Sequence, residues 1–428
     1  MNTNASAKEA ELTLSLLREM VDEKITRDVG FRLWNGTCFP DDAPRKATMV
    51  LNHPGSLRSM LLSGGEVGLA EAYLFDDFDI EGNAEDVFSL SNLLTNRSRS
   101  FGKKWRAAGI LLQLPAGPER RYAHRGPAKL KGKLHSIQRD REAVTYHYDV
   151  SNDFYALWLD RSMSYSCAYF QNPDVSLDQA QEDKLDYLCR KLRLQPGQRL
   201  LDIGCGWGAL ILHAARHYGV DATGITLSQP QVELANQRIA GASLANRCCA
   251  LLRDYRELSD PGAYDALVSV GMFEHVGEKL LPVYFAKAYE LLKPGGVFLN
   301  HGIANCCGES NENSDSFTGA YVFPDGELTP ISTTLAEAEA AGFEVRDVEN
   351  LREHYILTLR HWVRRLEERH EQALLYVDEP TYRVWRLYMS GSAYRFKVGR
   401  LNLYQSLLVR RDAEGRSEQP LTRKDWYR

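Results

Sequence analysis

The stretch Leu201-Asp-Ile-Gly-Cys-Gly-Trp-Gly208 decides the fold of this chain. An apolar segment that starts at Arg199 runs into three closely spaced glycines, and a helical pattern follows from Ala209. A cofactor can lie directly against such a turn because no side chain stands between it and the backbone. A strand, a glycine-rich turn and a helix in this order predict a nucleotide-type cofactor site in a doubly wound α/β sheet.

Two classes of cofactor fit the glycines, because they also satisfy the dinucleotide pattern GxGxxA. A dehydrogenase would carry an acidic residue at the end of the next strand to bind a ribose, but Gly224-Ile-Thr-Leu-Ser-Gln occupies that place. Asp202 lies two residues before Gly204, where its carboxylate can approach the charged amino acid part of S-adenosylmethionine. The pattern therefore favours an S-adenosylmethionine-dependent methyltransferase over a dehydrogenase.

Strands alternate with helices from residue 183 onward, which is typical of a parallel sheet with right-handed crossovers. The predicted strands are 199–203, 222–226, 266–270, 296–300, 343–348 and 401–410. The predicted helices are 209–218, 230–239, 283–292, 334–341, 355–368 and 381–390.

The residues before this region predict a small α+β unit. Its expected elements are a helix over 10–25, strands over 29–34 and 47–51, a helix over 56–62, a strand-rich piece over 66–80 and a helix over 84–94. The expected organisation is an N-terminal α+β domain over 1–101, a basic linker over 102–141 and a catalytic domain over 142–428.

The segment from Lys103 to Arg141 is strongly basic, with eleven Lys or Arg residues and two acidic ones in a chain of net charge −5. It also holds Trp105 and the apolar run 107–114, a combination that suits an anionic lipid surface. A solvated linker and a nucleic-acid contact are the alternatives.

Polar residues follow two neighbouring strands of the predicted sheet. Glu274 and His275 come after the fourth strand, and His301 comes at the end of the next. Carboxyl ends of parallel strands line the ligand crevice, so Glu274 and His301 are candidate catalytic groups. The alternative is that Glu274 caps a helix and His275 lies at the surface.

The apolar runs, the N-terminal residues and the cysteines indicate the cellular compartment of the protein. No apolar run is long enough to cross a bilayer, and the N-terminus lacks the basic start and apolar stretch of a secretory signal. The eight cysteines show no metal-ligand spacing. We therefore expect a reduced, cytoplasmic protein without a metal site.

Several motifs together are similar to those of the cyclopropane-fatty-acyl-phospholipid synthases and the related mycolic acid cyclopropane synthases. The resemblance covers about residues 145–410 and rests on His147-Tyr-Asp, Tyr165-Ser-Cys-Ala-Tyr-Phe170, Leu201 to Gly208, Gly224-Ile-Thr-Leu-Ser-x-x-Gln231, Gly271-Met-Phe-Glu-His-Val-Gly277 and Tyr321-Val-Phe-Pro-Asp-Gly326. It implies a seven-stranded class I methyltransferase (Rossmann-like) domain beside the smaller α+β lipid-binding domain.

The resemblance also implies site residues. S-adenosylmethionine would be bound by Tyr165, Ser166, Asp202, Gly204, Gly206, Thr226, Gln231, Asp254 and Tyr255. Bicarbonate would serve as the base and would be bound by Cys167, Glu274, His301, Tyr355 and the backbone at Ile303. The catalytic residues would be the four side chains Cys167, Glu274, His301 and Tyr355. One departure is Ser392, where phospholipid enzymes often have a cysteine.

The reaction that the resemblance implies is methylene transfer to the cis double bond of an unsaturated phospholipid acyl chain, which forms a cyclopropane ring. Fatty-acyl methylation without a ring and a non-catalytic lipid-binding protein are the alternatives. The expected partner is a membrane surface of unsaturated, anionic phospholipid and not nucleic acid. The sequence leaves open whether the protein forms a homodimer. The expected location is the cytoplasm, at the inner face of the cell membrane.

Overall fold

The structure is a computed structural model, and it describes residues 3–62, 65–90, 101–118, 126–148, 150–306, 316–417 and 419–427. The chain divides into two compact units. The first comprises Met1–Pro127, Asp315–Val322 and Val377–Tyr394, and the second comprises Ala128–Ser314, Phe323–Tyr376 and Arg395–Arg428. The boundaries at 101 and 141 that the sequence suggests stay a prediction.

The first unit contains a four-stranded sheet. Its strands are β1 (Val29–Arg32), β2 (Cys38–Phe39), β3 (Ala47–Leu51) and β4 (Phe78–Gly82), in the order β2-β1-β3-β4. Only the β1–β3 pair is parallel. Its helices are Thr3–Met20, Glu23–Thr26, Ser56–Leu62, Gly65–Leu74, Ala84–Val87, Phe101–Leu111, Phe317–Tyr321 and most of Glu379–Lys397, with a 3-10 turn at Phe88–Leu90.

The strand-rich prediction for residues 66–80 was wrong over most of its length. A helix occupies Gly65–Leu74, and only β4 is extended. The helical part is rich in Ala, Leu and Glu, which favour helix, and this outweighs the short apolar alternation. The helix predicted over 84–94 is helical to Leu90, and residues 91–94 lie outside the described residues.

Helix Glu379–Lys397 joins the first unit through two buried arginines. Arg383 donates to the carbonyl of Tyr73 at 2.8 Å. Arg386 donates to the Tyr73 hydroxyl at 2.8 Å and to the carbonyl of Ile80 at 3.1 Å. These bonds satisfy guanidinium groups that would be costly to bury alone, and they explain why so late a segment belongs to this unit.

The second unit is built on a seven-stranded sheet. Its strands are β5 (Arg199–Ile203), β6 (Asp221–Thr226), β7 (Cys248–Leu252), β8 (Tyr264–Val270), β9 (Leu292–Asn305), β10 (Glu344–Asn350) and β11 (Leu401–Val409), in the order β10-β11-β9-β8-β5-β6-β7. The strands from β9 to β7 run parallel, and β11 is antiparallel to both of its neighbours. The predicted α/β class with a separate N-terminal α+β part is confirmed.

Helices cover the sheet of the second unit. They are Ile137–Tyr148, Asn152–Trp158, Leu177–Lys191, Ala209–Tyr218, Gln229–Gly241, Leu281–Leu291, Ile331–Ala340, Arg352–Glu368 and His370–Ala373, with 3-10 turns at Tyr255–Glu257, Phe273–His275 and Glu278–Leu280. β5 is apolar on both faces for this reason: Leu200 packs into one core, and Leu201 and Ile203 pack into the other. None of the described helices is long and apolar enough to cross a membrane.

Candidate active site

All nine predicted cofactor residues line one cavity in the second unit. It opens at the carboxyl ends of β5, β6 and β8, where ligands bind in this architecture. The residues are Tyr165, Ser166, Asp202, Gly204, Gly206, Thr226, Gln231, Asp254 and Tyr255. The structure thus brings them together, and their individual roles stay predictions.

The glycine turn between β5 and helix Ala209–Tyr218 forms the floor of this cavity. At Gly204, with φ at +89°, a Cβ would lie 2.6 Å from the Cβ of Met272, so the close approach of another loop requires glycine. At Gly206, with φ at +53°, a Cβ would meet no atom within 4 Å and would project into open space. A side chain at Gly206 would therefore compete with whatever fills the cavity.

Asp202 is buried at the end of β5, and its Oδ1 has no hydrogen-bond partner among the described residues. Burial raises the pKa of Asp202 to about 7, and the nearby charge of Lys184 opposes that rise. A buried carboxylate oxygen without a partner is costly. The orphaned oxygen fits the cationic amino group of the predicted cofactor, which would supply the missing donor.

Lys184 is a cavity residue that we did not predict. It lies on helix Leu177–Lys191, is 3% exposed, and donates from Nζ to the Ser166 hydroxyl at 3.0 Å. Burial lowers the pKa of Lys184 to about 8, although Asp160, Cys167 and Asp202 attract its charge. Helical spacing could have predicted that Lys184 is buried, because Ala180, Lys184 and Leu188 share the apolar face of this helix.

The far side of the cavity is held by two local hydrogen-bonded pairs. The Thr226 hydroxyl donates to Gln231 Oε1 at 2.7 Å. Asp254 accepts from Arg256 Nε at 2.8 Å and from Arg256 Nη2 at 2.6 Å, while the buried hydroxyl of Tyr255 has no partner among the described residues. Asp254 therefore already accepts hydrogen bonds within its own turn, whereas the Tyr255 hydroxyl can still form one with a ligand.

Aromatic rings form a wall of this cavity. The ring of Tyr165 lies 5.3 Å from Trp362, 5.6 Å from His147 and 5.7 Å from Tyr155. The ring of Trp207 lies 5.0 Å from Tyr155, and its indole N–H donates to Asn152. The π faces of such rings attract cations. The wall is both structural packing and a suitable surface for a sulfonium.

Glu274 and Ile303 are joined directly. Glu274 lies in the 3-10 turn after β8, and its Oε1 accepts from the Ile303 N–H on β9 at 2.7 Å. The other oxygen, Oε2, is buried without a partner among the described residues. Burial raises the pKa of Glu274 to about 7, against the effect of the Ile303 bond. The Ile303 N–H, predicted as a bicarbonate ligand, thus fixes the carboxylate here.

His301 lies two residues before Ile303 on β9, so both side chains project from the same face of the sheet. His301 is 1% exposed, its Nδ1 lies 3.2 Å from Gln405 Nε2, and its Nε2 has no partner among the described residues. Burial and the charges of Lys184 and Lys191 lower the pKa of His301 to about 3. The imidazole is neutral at physiological pH.

Cys167 and Tyr355 meet at one carbonyl. The Cys167 thiol has its nearest acceptor in the Ala168 carbonyl at 3.3 Å, and its Sγ lies 3.9 Å from the Leu351 carbonyl, which accepts from the Tyr355 N–H at 3.1 Å. The Leu351 N–H donates to Leu403, whose register partner is Ile303. These contacts link Cys167 and the backbone of Tyr355, through β11, to the strand that carries His301 and Ile303, and the role of the Tyr355 side chain stays a prediction. Burial raises the pKa of Cys167, so its thiol stays protonated.

His275 lies beside the cofactor cavity and is not a surface residue as one interpretation had it. Burial lowers its pKa to about 4. Ser392, the departure from the family pattern, lies on helix Glu379–Lys397 in the part that belongs to the first unit.

The buried oxygen and nitrogen atoms of this region that lack a hydrogen-bond partner among the described residues suit two bound molecules. Asp202 Oδ1 suits a cationic amino group. Glu274 Oε2 accepts and His301 Nε2 can donate, which suits an anion that carries one proton. The residues present therefore fit both S-adenosylmethionine and bicarbonate.

Comparison with known proteins identifies the family. The profile of the family described as mycolic acid cyclopropane synthetase matches residues 135–406. The chain belongs to this family. Two curated relatives match the chain along most of its length. A probable fatty acid methyltransferase of Pseudomonas putida is 40% identical over 93% of this chain and 95% of its own. The cyclopropane-fatty-acyl-phospholipid synthase of Escherichia coli K12 is 34% identical over 82% and 85%.

A solved cyclopropane synthetase structure resembles the second unit's fold. The mycolic acid cyclopropane synthase CmaA1, in complex with SAH and CTAB, superimposes with a TM-score of 0.59 at 34% identity. The match covers 63% of this chain and 97% of that protein. The resemblance inferred from the sequence motifs is confirmed.

Proposed function

We propose that this protein transfers a methylene unit from S-adenosylmethionine to the cis double bond of an unsaturated phospholipid acyl chain and so forms a cyclopropane ring. The observation that carries the proposal is that Glu274 and His301 are buried and each has one polar atom without a partner among the described residues. Glu274 lies between the cavity-lining residues Met272 and His275, and His301 is the register partner of Val270, which also lines the cavity. Methyl transfer to an alkene leaves a carbocation that must lose a proton, so this reaction needs a base held in a dry pocket.

On the cofactor side, bound S-adenosylmethionine supplies a methyl group activated by a sulfonium. Asp202 would pair with the amino group of the cofactor, and the Gly206 turn would let the cofactor approach the backbone; both residues line the cavity. The wall around Tyr165 excludes water and presents π faces. An alkene is a weak nucleophile, so holding both partners at near-attack distance in such a pocket is a main part of catalysis.

On the substrate side, the new C–C bond leaves a carbocation on the acyl chain. Loss of a proton from the added methyl group lets that C–H electron pair close the ring. Bicarbonate, when bound, supplies the base. A thiolate or amine there would itself be alkylated, and Cys167 avoids this hazard because its thiol stays protonated. Glu274, His301 and Tyr355 would orient the base by hydrogen bonds, with the Ile303 N–H holding Glu274 in place.

A second candidate is fatty-acyl methylation without a ring. It is favoured by the name of the relative from Pseudomonas putida and by that of a Mycobacterium tuberculosis relative, also a probable fatty acid methyltransferase, which is 39% identical over 93% of this chain. If the cation lost a different proton, the product would be a methylene branch with the same mass as the ring. A purely lipid-binding protein would have no need of the Glu274 and His301 pair.

Phospholipid in a membrane is the proposed form of the substrate. Lys129, Lys131 and Lys133 are exposed, and the neighbouring Leu134 is 46% exposed. Cations beside an apolar side chain suit an anionic bilayer surface. Association with the inner face of the cell membrane follows from this proposal, and self-association stays a separate question.

The test combines vesicles of unsaturated phospholipid with S-adenosylmethionine that is ¹³C-labelled in the methyl group. NMR of the released acyl chains should show the label in a cyclopropane CH₂. Vesicles of saturated phospholipid are the matched control and should take up no label. Label in a vinyl CH₂ would select the methylene product, and label in free fatty acid but not in phospholipid would contradict the proposed substrate.

A further inference from the structure

Three buried polar side chains form a chain that ends at His301. Lys191, in the last turn of helix Leu177–Lys191, has its Nζ 2.8 Å from Gln405 Oε1. Gln405 lies on β11 opposite His301, and its Nε2 is 3.2 Å from His301 Nδ1. All three side chains are about 1% exposed. Water cannot supply alternative partners here, so the direction of each hydrogen bond is fixed by the groups themselves.

The donor and acceptor of each hydrogen bond follow from Lys191, because its ammonium group can only donate. Burial lowers the pKa of Lys191, but Glu349, which accepts from Nζ, and Asp347 at 3.8 Å favour its charged form. The Gln405 oxygen must therefore face Lys191, which turns the Gln405 NH₂ group towards the imidazole. An NH₂ group can only donate, so Nδ1 of His301 has to accept with its lone pair. The ring hydrogen of the neutral imidazole is left on Nε2.

The Nε2–H group of His301 is the buried atom without a partner among the described residues. It can donate one hydrogen bond, and it has no lone pair with which to take a proton. Protonation of Nδ1 is opposed by the facing NH₂ group and by burial, in keeping with the lowered pKa of His301. Glu274, which is tied to β9 through Ile303, offers an acceptor in the same region.

We propose that Lys191 and Gln405 are positioning residues that fix His301 as the Nε2–H tautomer, so that His301 donates to the anionic base and does not itself remove the substrate proton. The inference rests on the proposed function for the role of that anion, but the tautomer follows from the hydrogen bonds alone. One donor at His301 and one acceptor at Glu274 complement an oxyanion that carries a single proton, such as bicarbonate.

The test is ¹⁵N–¹H NMR of the histidine rings in the full chain, with the His301 signals assigned from their loss in His301→Asn. The wild type should show the Nε2–H tautomer from pH 6 to pH 8. Gln405→Glu keeps the shape but replaces the donor by an acceptor, so the tautomer should reverse to Nδ1–H. Turnover should fall about a hundredfold, as when an oriented donor to an anion is lost, while the Kd for S-adenosylmethionine stays within about twofold because the cofactor contacts are unchanged.

Ser406→Ala is the matched control, since Ser406 is the next buried residue on the same strand and should affect neither tautomer nor turnover. A wild type with Nδ1–H or a doubly protonated ring would overturn the inference, and this measurement needs no variant to fold. A wild type with the Nε2–H tautomer that modifies no unsaturated chain would instead contradict the proposed function. A Gln405→Glu variant with reversed tautomer and normal turnover would show that His301 is not a donor in the reaction.

Discussion

Replacing Glu274 by glutamine should separate catalysis from binding. The side-chain oxygen of the new residue can still accept from the Ile303 N–H, which is a 2.7 Å bond in the native chain. The buried Oε2 becomes an NH₂ group, so an acceptor is lost where the base has to be oriented. Turnover should fall by about a hundredfold to ten-thousandfold, the usual contribution of general-base catalysis. Cofactor affinity should not change, because Asp202 and the glycine turn are untouched.

The same substitution should stabilise the unliganded protein at high pH. Burial raises the pKa of Glu274 from 4.5 to about 7. A group with a raised pKa contributes its full stability below pH 4.5 and loses it as the pH rises to 7, where the folded protein must carry a buried charge. The loss is about 3 kcal/mol at 1.36 kcal/mol per pKa unit. Glutamine is neutral throughout, so the free energies of unfolding should diverge with pH.

The assay is denaturant unfolding of both proteins at pH 4.5 and pH 8, beside calorimetry with S-adenosylmethionine and turnover on unsaturated vesicles. Glu278→Gln, an exposed neighbour, is the matched control and should alter none of the three. Near-normal turnover in Glu274→Gln would return Glu274 to a structural role. A stability difference that does not change with pH would refute the reasoning about the buried charge.

Three further changes probe the cofactor cavity and the membrane surface. Gly206→Val should abolish S-adenosylmethionine binding in calorimetry and should also lower the free energy of unfolding, because φ at +53° strains a β-branched residue although its Cβ would meet no atom within 4 Å; unchanged affinity would remove the turn from the site. Lys184→Met removes the charge that keeps the Asp202 carboxylate ionised, so the affinity for S-adenosylmethionine should fall about tenfold at pH 7, a loss near 1.4 kcal/mol. The affinity should recover at pH 9, where Asp202 is ionised without that charge, and an equal loss at both pH values would contradict this. Charge reversal at Lys129, Lys131 and Lys133 should weaken sedimentation with anionic vesicles by about 1 kcal/mol per residue at low salt, and vesicle binding that neither salt nor the reversal affects would show a simple linker.

The cofactor half of the site could be predicted from the sequence because its signals are local. Asp202, Gly204 and Gly206 lie within five residues, and the motifs of the family resemblance added Thr226 and Tyr255, which line the same cavity. Spacing was enough for Asp202 and the glycines, since the fold class determines where this strand ends, whereas Thr226 and Tyr255 needed the resemblance.

The supporting residues could not be predicted because their partners are distant in the chain. Gln405 meets His301 across 104 residues and Lys191 across 214. Only the pairing of β11 with β9 brings them together, and no motif announces that register. β7 was missed because Cys248–Leu252 has no β-branched or aromatic residue and exposes two of its leucines.

The position of β11 also sets an order of assembly during synthesis. This strand lies between β9 and β10, yet residues 401–409 leave the ribosome after both. Until they arrive, β9 and β10 each present an open hydrogen-bonding edge to other chains, which is the usual hazard of nascent sheets. Gln405 arrives with the same strand, so a nascent chain that has already formed its cofactor cavity cannot yet set the tautomer of His301. The part of the sheet that surrounds His301 is therefore completed only after β11 has been synthesised.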